Sequence, residues 1–352
     1  MHPIVLQDLK DIAAAPLNWS KLSGRTVLVS GASGFLPAYM VETLLWLNAT
    51  TDLDCRVVGL VRSLERACIR FRQYQGRKDL ELVQGDISEA QQVNGKFDII
   101  IHAASQASPK YYDTDPVGTM TANLLGSHHL LELARRHGSE KFLFFSSGEV
   151  YGQPAPEKIP TKEEDYGYTN ILNHRACYSE SKRAAETLAV CYCHQYSVPC
   201  VIVRPFHTYG PGMVLDDGRV FADFIRDIVA SRNLTLRSDG KAIRAFCYIS
   251  DAVRGFFTVL LSGKNSTAYN VGNPAGAISI QELANLMIGL DAEKGLSVDR
   301  VGKPQQGYLP SPISVNIPNV DALTALGWHA TYSPADGFAR TIKYFKEIAA
   351  DG

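Results

Sequence analysis

The sequence predicts an α/β protein, a doubly wound parallel sheet followed by a smaller mixed α/β domain. Two observations carry that prediction. Apolar, β-branched runs at 26–30, 57–61, 80–83, 97–102, 141–146 and 198–203 alternate with helical patterns such as 38–47, 117–136 and 175–196. The runs are apolar almost throughout, as strands are when helices cover both faces of a sheet. After about Pro205 the rhythm loosens into shorter elements, with helix candidates at 219–231, 280–290, 320–326 and 334–349.

Composition narrows the function classes. A chain of 352 residues with 45% hydrophobic and 20% charged residues is an ordinary globular protein that buries a large core. Its formal net charge of −1 carries no polyelectrolyte signal, so nucleic acid and anionic membrane surfaces are not expected partners. The first residues lack a basic segment followed by a long apolar run, and Asp8 and Asp11 interrupt what hydrophobicity there is. No stretch reaches the roughly 20 apolar residues of a membrane span. We therefore expect a soluble, cytoplasmic protein. Seven cysteines without paired spacing suit reduced thiols, and no metal site is expected, Cys191 and Cys193 included.

The run at 26–30 enters Gly31-Ala-Ser-Gly34-Phe-Leu-Pro37 and then a helical pattern. Strand, glycine turn and helix in that order place backbone N–H groups and a helix N-terminus against a pyrophosphate. A ligand-free turn is the plainer reading, and Pro37 stands where a third glycine is usual. Proline is tolerated in a first helical turn because its missing N–H has no partner there. At the end of the second run no acid is present to bind an adenosine ribose diol. Arg62 stands there instead, either as a partner for the 2′-phosphate of NADP or as a solvated loop residue.

Tyr178 and Lys182 are four residues apart in a helical stretch and share one face. A phenol is a poor base at neutral pH unless a nearby ammonium stabilises its phenolate. Upstream, Ser146-Ser147-Gly148-Glu149 ends a predicted strand at the sheet edge where ligands bind, which makes Ser147 the candidate for holding a reacting oxygen. A Tyr-x-x-x-Lys spacing alone usually means a solvent-facing lysine. Beside the glycine turn and the serine strand it reads as a catalytic set.

Here the chain resembles the extended short-chain dehydrogenases, the nucleotide-sugar epimerase, dehydratase and decarboxylase group, over about residues 25–345. The resemblance rests on His102-Ala-Ala-Ser105, Asn123, Arg175-Ala-Cys-Tyr-Ser-Glu-Ser-Lys-Arg183, Arg204-Pro-Phe-His-Thr-Tyr-Gly-Pro211, Asp217-Gly-Arg219, Arg244-Ala-Phe-Cys-Tyr-Ile-Ser-Asp251 and Asn270-Val-Gly272. Arg-Ala-Cys-Tyr and Asp-Gly-Arg-Val look most like UDP-glucuronate decarboxylases. The resemblance implies a Rossmann-type domain at 25–205, with a return segment at 246–266. It implies a nucleotide-sugar-binding domain at 206–245 and 267–352, leaving 1–24 as an N-terminal arm. It implies a tightly bound, recycled NAD or NADP held by Gly31, Ser33, Gly34, Phe35, Leu36, Arg62, Asp86, Ile87, Ala103, Ala104, Tyr178, Lys182 and Pro205. Ser105, His207, Arg219 and Arg244 would meet the substrate, the two arginines at its diphosphate, unless they form structural ion pairs. A homodimer through 117–136 and 175–196 is implied as well.

In such enzymes the Tyr takes a proton from a sugar hydroxyl, expected at C4, as hydride leaves the same carbon. The fate of the resulting ketone divides the group. A C6 carboxylate is lost as carbon dioxide, a C6 hydroxyl is eliminated, or hydride returns to the other face. Glu149 matches decarboxylases and dehydratases, so Ser147, Glu149, Tyr178 and Lys182 form the expected catalytic set. Gly148 replaces the acid of the 4,6-dehydratases. The decarboxylases carry an arginine near the C-terminus, and residues 308–316 contain no basic residue. His207 replaces an Asn, as a hydrogen-bonding substitute, a titrating group or a wall of the site. The leading expectation is a UDP-glucuronate-decarboxylase-like enzyme, with a 4-epimerase or 4,6-dehydratase as alternatives. A non-catalytic dinucleotide-binding regulator is the rival of another class, and such sensors tend to lose the Tyr or Lys kept here.

Overall fold

The computed structural model describes residues 1–90, 93, 95–300 and 313–351. Its strands, in chain order, are β1 (Thr26–Ser30), β2 (Arg56–Val61), β3 (Leu80–Gln84), β4 (Ile99–His102), β5 (Lys141–Phe145), β6 (Cys200–Pro205), β7 (His207–Tyr209), β8 (Leu234–Leu236), β9 (Ile243–Tyr248), β10 (Thr267–Val271), β11 (Ala277–Ser279), β12 (Val298–Arg300) and β13 (Val315–Asn316). A seven-stranded parallel sheet has the order β10-β6-β5-β4-β1-β2-β3. It is the Rossmann-type sheet that the sequence predicts.

The strands are covered on both faces, and the pleat sorts their side chains. Val27, Val29, Ile99, Ile101, Leu143 and Val201 point into one core with helices α1 (Pro3–Ala13), α2 (Phe35–Thr50) and α8 (Ile249–Ser262). Leu28, Val58, Ile100, Phe142, Phe144 and Ile202 point into the other, against α5 (Pro116–His137) and α6 (Cys177–Tyr196). Alternate residues going to opposite faces is the period of two that a pleated strand imposes. The remaining helices are α3 (Leu64–Arg70), α4 (Pro109–Thr114), α7 (Val220–Val229), α9 (Ile280–Gly289), α10 (Asp321–Thr324) and α11 (Pro334–Asp351).

The expected return segment stops at 266, and the strand just after it also lies in the large sheet: β10 pairs with β6. Its Thr-Ala-Tyr-Asn-Val sequence hides this, because a buried Asn270 occupies a core position. Asn270 is satisfied there by donating to the carbonyls of Thr161 and Asn319 at 3.0 and 2.9 Å. A smaller sheet forms around β9, which pairs with β7 and β13 in parallel and with β11 in antiparallel fashion. The strand β12 pairs with β8. The arm at 1–24 holds α1, whose Leu9 and Ile12 are fully buried in the core it shares with α2 and α8. No helix among the described residues is long and apolar enough to cross a membrane.

Candidate active site

A cleft of about 1260 Å³ runs along the carboxyl edge of the large sheet and continues beneath the smaller one. Open α/β sheets hold ligands at this edge where the strand order reverses, here between β1 and β4. The volume exceeds the ~300–1,000 Å³ typical of a single small ligand. The cleft is large enough for more than one small ligand.

At one end the chain leaves β1 through Gly31, whose φ is 67°. A Cβ there would lie 2.8 Å from the Ala104 Cα, so only glycine lets the loop sit this close to the end of β4. Gly34 caps α2, and its N–H donates to the Gly31 carbonyl at 2.7 Å. Ser33, Phe35 and Leu36 line the cleft with Pro37, the third residue of α2, in a turn whose N–H groups lack helical partners. The Ser30 hydroxyl accepts from the N–H groups of Ala103 and Ala104 and lies 2.9 Å from His102 Nδ1. His102 Nε2 reaches Ser127 Oγ at 3.1 Å. Burial, aided by Lys182, pushes the His102 pKa down to about 3, so this link between β1, β4 and α5 is neutral.

Asp86 comes after β3 and accepts from the N–H and hydroxyl of Ser88 at 2.8 and 2.5 Å, which holds its carboxyl below the usual range. Arg62 is exposed at the cleft rim; Ile87, Ala103 and Pro205 also line the cleft. A glycine turn pressed on the sheet, the open first turn of α2 and an acid fixed beyond β3 fit a bound dinucleotide.

The central part of the cleft brings Ser147, Glu149, Tyr178 and Lys182 together. Tyr178 and Lys182 project from one face of α6, and both are buried. The Tyr178 ring stacks on Tyr112, centroids 5.0 Å apart. Burial raises its phenol to about 12, with hydrogen bonding from Ser147 opposing, Glu149 adding and Arg219 and Ser105 opposing. Lys182 Nζ donates to the Phe145 carbonyl at 2.7 Å and lies 5.9 Å from the Tyr178 ring centroid. Burial lowers its ammonium to about 7. Ser147 caps the turn Gly148–Tyr151 by accepting from the Glu149 N–H at 3.1 Å. That turn aims the Glu149 carboxylate at Arg175, whose Nη1 is 3.4 Å away. Gly148 lies under the Phe206 ring, whose atoms come within 3.2 Å of where a Cβ would be, so a side chain at this position needs that ring to give slightly.

Beside Tyr178, Ser105 donates to Asn123, which donates in turn to Ser181, fixing the loop after β4 on α5 and α6. Arg219 holds Asp217 through Nε at 2.6 Å while also lining the cleft. Arg244 donates to the carbonyls of Ile243, Ile313 and Ser314. His207 also lines the cleft, its ring centroid 5.9 Å from that of Phe246. Burial, then Arg244 and Arg219, hold it neutral far below the usual imidazole range, so it does not titrate near pH 7 in this state. Residues 308–312 of the arginine-free segment lie outside the described residues; Ile313–Asn316 line the cleft with no basic side chain.

Sequence reasoning missed Arg175 and Tyr112 as site residues. Arg175 stood in the motif that carried the resemblance, yet its pairing with Glu149 depends on two loops meeting. It lies 5.8 Å from the centroid of the Tyr112 ring, which itself stacks on Tyr178.

Residues 27–272 match the model of the NAD dependent epimerase/dehydratase family. The chain belongs to that family. Among curated family relatives, UDP-glucuronic acid decarboxylase 1 of Xenopus tropicalis is 31% identical over 93% of this chain and 74% of its own. UDP-glucuronic acid decarboxylase 6 of Arabidopsis thaliana is 36% identical over 77% of this chain and 76% of its own. The fold is shared with solved family structures. The epimerase Mth375 of Methanothermobacter thermautotrophicus superposes with a TM-score of 0.81 over 99% of this chain and 98% of that one, at 22% identity. The UDP-glucuronic acid 4-epimerase of Bacillus cereus, solved with UDP-glucuronic acid and NAD, gives 0.76 over 92% and 99%, at 23% identity.

Proposed function

We propose that this enzyme oxidises C4 of a nucleotide-linked uronic acid and then releases its C6 carboxylate as carbon dioxide, as the resembling UDP-glucuronic acid decarboxylases do. The observation that carries this reading is the Glu149–Arg175 pair beside the Tyr112–Tyr178 stack. It puts a guanidinium, the side chain that best matches a carboxylate, next to the phenol that starts the reaction. It also offsets the charge of Glu149, which would otherwise repel an anionic sugar. Gly148, packed under Phe206, leaves no acid there for expelling a C6 hydroxyl, which disfavours dehydration.

Gly31, Ser33 and Gly34 would hold the nicotinamide dinucleotide, which would supply the hydride acceptor for the sugar carbon. Tyr178 takes the proton of the C4 hydroxyl while Ser147 holds the same oxygen. Lys182, when charged, favours the phenolate. A carbonyl at C4 makes the C6 carboxylate part of a β-keto acid, which loses carbon dioxide and leaves an electron pair to be protonated at C5. Glu149 is the acid-base group available for that proton. The hydride then returns to C4 as Tyr178 gives its proton back to the C4 oxygen, so the product differs from the substrate by carbon dioxide alone. Arg219 and Arg244 bind the diphosphate, with Ser105 and His207 walling the sugar. Residues 25–205, with the return through α8, then serve the cofactor, and 206–245 with the C-terminal elements serve the substrate. A homodimer through α5 and α6 accounts for the exposed Val117, Met120, Leu125 and Val190 on those helices, and a cytoplasmic location suits seven free cysteines.

Mass spectrometry after incubation with UDP-glucuronic acid tests the reading. A product lighter by carbon dioxide is expected, and Arg175→Gln should raise KM for the uronate about ten-fold or more. A product lighter by water, or an isomer of unchanged mass, replaces decarboxylation with dehydration or epimerisation.

A further inference from the structure

We propose that Tyr112 is a positioning residue for Tyr178: its ring, carried by α4, fixes the angle at which the Tyr178 phenol meets a sugar hydroxyl and keeps water from that phenol. The inference rests on the reading of Tyr178 as the group that takes the hydroxyl proton, and is indifferent to what the ketone then loses. Tyr178 projects from α6, and a tyrosine side chain turns about two torsions that its surroundings must fix. Among the described residues its ring belongs to neither sheet core; it is buried in a small separate cluster with Tyr112 and Cys177. Cys177 is the preceding residue of the same helix, and consecutive side chains of a helix do not face each other. The Tyr112 ring does face Tyr178, with centroids 5.0 Å apart and planes only 19° from parallel, an offset stack. Both rings line the cleft, yet Tyr112 is 2% exposed and Tyr178 6%.

Tyr112 is itself held in place. Its hydroxyl donates to the Ala107 carbonyl at 2.9 Å, and burial, with Tyr178 and Glu149 adding, pushes its phenol well above the usual range. It stays protonated, so it acts through Tyr178 and takes no proton of its own. The Ser108 hydroxyl, at the start of α4, donates to the Asp217 carbonyl at 2.5 Å and anchors the helix to the loop before α7. The Asp217 carboxylate holds Arg219, so the ring that backs the phenol is tied to the loop proposed to receive the diphosphate. Burial is the largest cause of the raised Tyr178 phenol, and the Tyr112 ring supplies part of that burial. Removing the ring has two consequences: the phenol loses its fixed angle, and water lowers its pKa toward the ordinary value of about 10.

Two measurements on Tyr112→Leu and Tyr112→Phe test this, with NAD⁺ calorimetry reporting that each variant is folded. The first needs no substrate: nitration of Tyr178 by tetranitromethane, followed by peptide mass spectrometry, requires a water-accessible phenolate. It is expected to run about ten-fold faster in Tyr112→Leu than in the parent, and at the parent rate in Tyr112→Phe, which keeps the ring. The second is turnover of UDP-glucuronic acid against pH. Tyr112→Leu is expected to lower the plateau of kcat about 10–100-fold, as a misplaced reacting group does, and to move the acid limb of the profile to lower pH. Tyr112→Phe should restore both. Parental nitration and kcat in Tyr112→Leu overturn the proposal, as does a lowered plateau with the limb unmoved, or a Phe variant as impaired as the Leu variant. Where Tyr112→Leu loses NAD⁺ binding, Ser108→Ala, which keeps both rings and loosens α4, replaces it with the same expected shifts. Tyr178→Phe in the same turnover assay separates the two readings: turnover kept there refutes Tyr178 as the base, whereas turnover lost there beside an unaffected Leu variant refutes the role of Tyr112 alone.

Discussion

Lys182 Nζ donates to the main-chain carbonyl of Phe145 at 2.7 Å, from a side chain 2% exposed. The lysine is thereby aimed along the end of β5 and beneath the Tyr178 ring, and burial holds its ammonium at about 7. In the unfolded chain its pKa is about 10.4. Between those values the unfolded state carries more protons than the folded one, so this group makes stability rise with pH across the window. The penalty of burying it is fully present below about pH 7. Lys182→Met should therefore be more stable than the parent at about pH 6, by about 1–3 kcal/mol, with the gain shrinking toward pH 10. Turnover should be lost in the same variant. Urea denaturation across that range checks it, and a variant less stable at the acid end contradicts it.

Tyr178→Phe removes the phenol oxygen and leaves the stack on Tyr112. Cofactor affinity should stay near that of the parent while turnover falls by about 10²–10⁴-fold, the usual contribution of a positioned proton-transfer group. Near-normal turnover would refute Tyr178 as the group that takes the hydroxyl proton.

Gly31→Ala places a methyl carbon 2.8 Å from a main-chain atom of Ala104 at a φ of 67°. Both effects push the loop off the sheet. The expected loss is about 1–2 kcal/mol of stability from the left-handed conformation alone, with a weaker grip on the dinucleotide. A thermal melt with and without added cofactor separates the two: the variant should melt lower and gain less on adding it.

The large sheet was legible because six of its strands are apolar runs between helical patterns, and the glycine turn lies in unbroken sequence. The four candidates Ser147, Glu149, Tyr178 and Lys182, which line one cleft, could be named from sequence because each sits in a short motif tied to a strand end or a helix face. The features that escaped depend on distant partners. The strand β10 reads as a loop until Thr161 and Asn319 are known to satisfy Asn270. Arg175 becomes a site residue only when the turn after β5 delivers Glu149 to it. The Ser30–His102–Ser127 chain joins three elements, and no local pattern announces it.

Asp8 is the strongest case of a long-range partner, and it gives the N-terminal arm its role. The carboxylate is fully buried, accepts from Tyr39 at 3.1 Å and Tyr248 at 3.0 Å, and pairs with Arg340 at 2.7 Å. It thus clamps α1 to α2, β9 and α11, linking both sheets to both ends of the chain. Asp8→Ala strands two tyrosine hydroxyls and a guanidinium, and should cost about 3 kcal/mol or more in urea denaturation at pH 7. Burial outweighs Arg340 and raises the Asp8 carboxyl to about 6. The folded state therefore holds the proton more firmly than the unfolded chain, whose value is about 3.9. Stability from this group is greatest below about pH 4 and falls as pH rises through 6. Asp8→Asn, which cannot ionise, should lack that decline, so its stability relative to the parent should improve between about pH 4 and pH 7. A difference that stays flat across the range would mean that Asp8 is ionised throughout, held by Arg340 despite its burial.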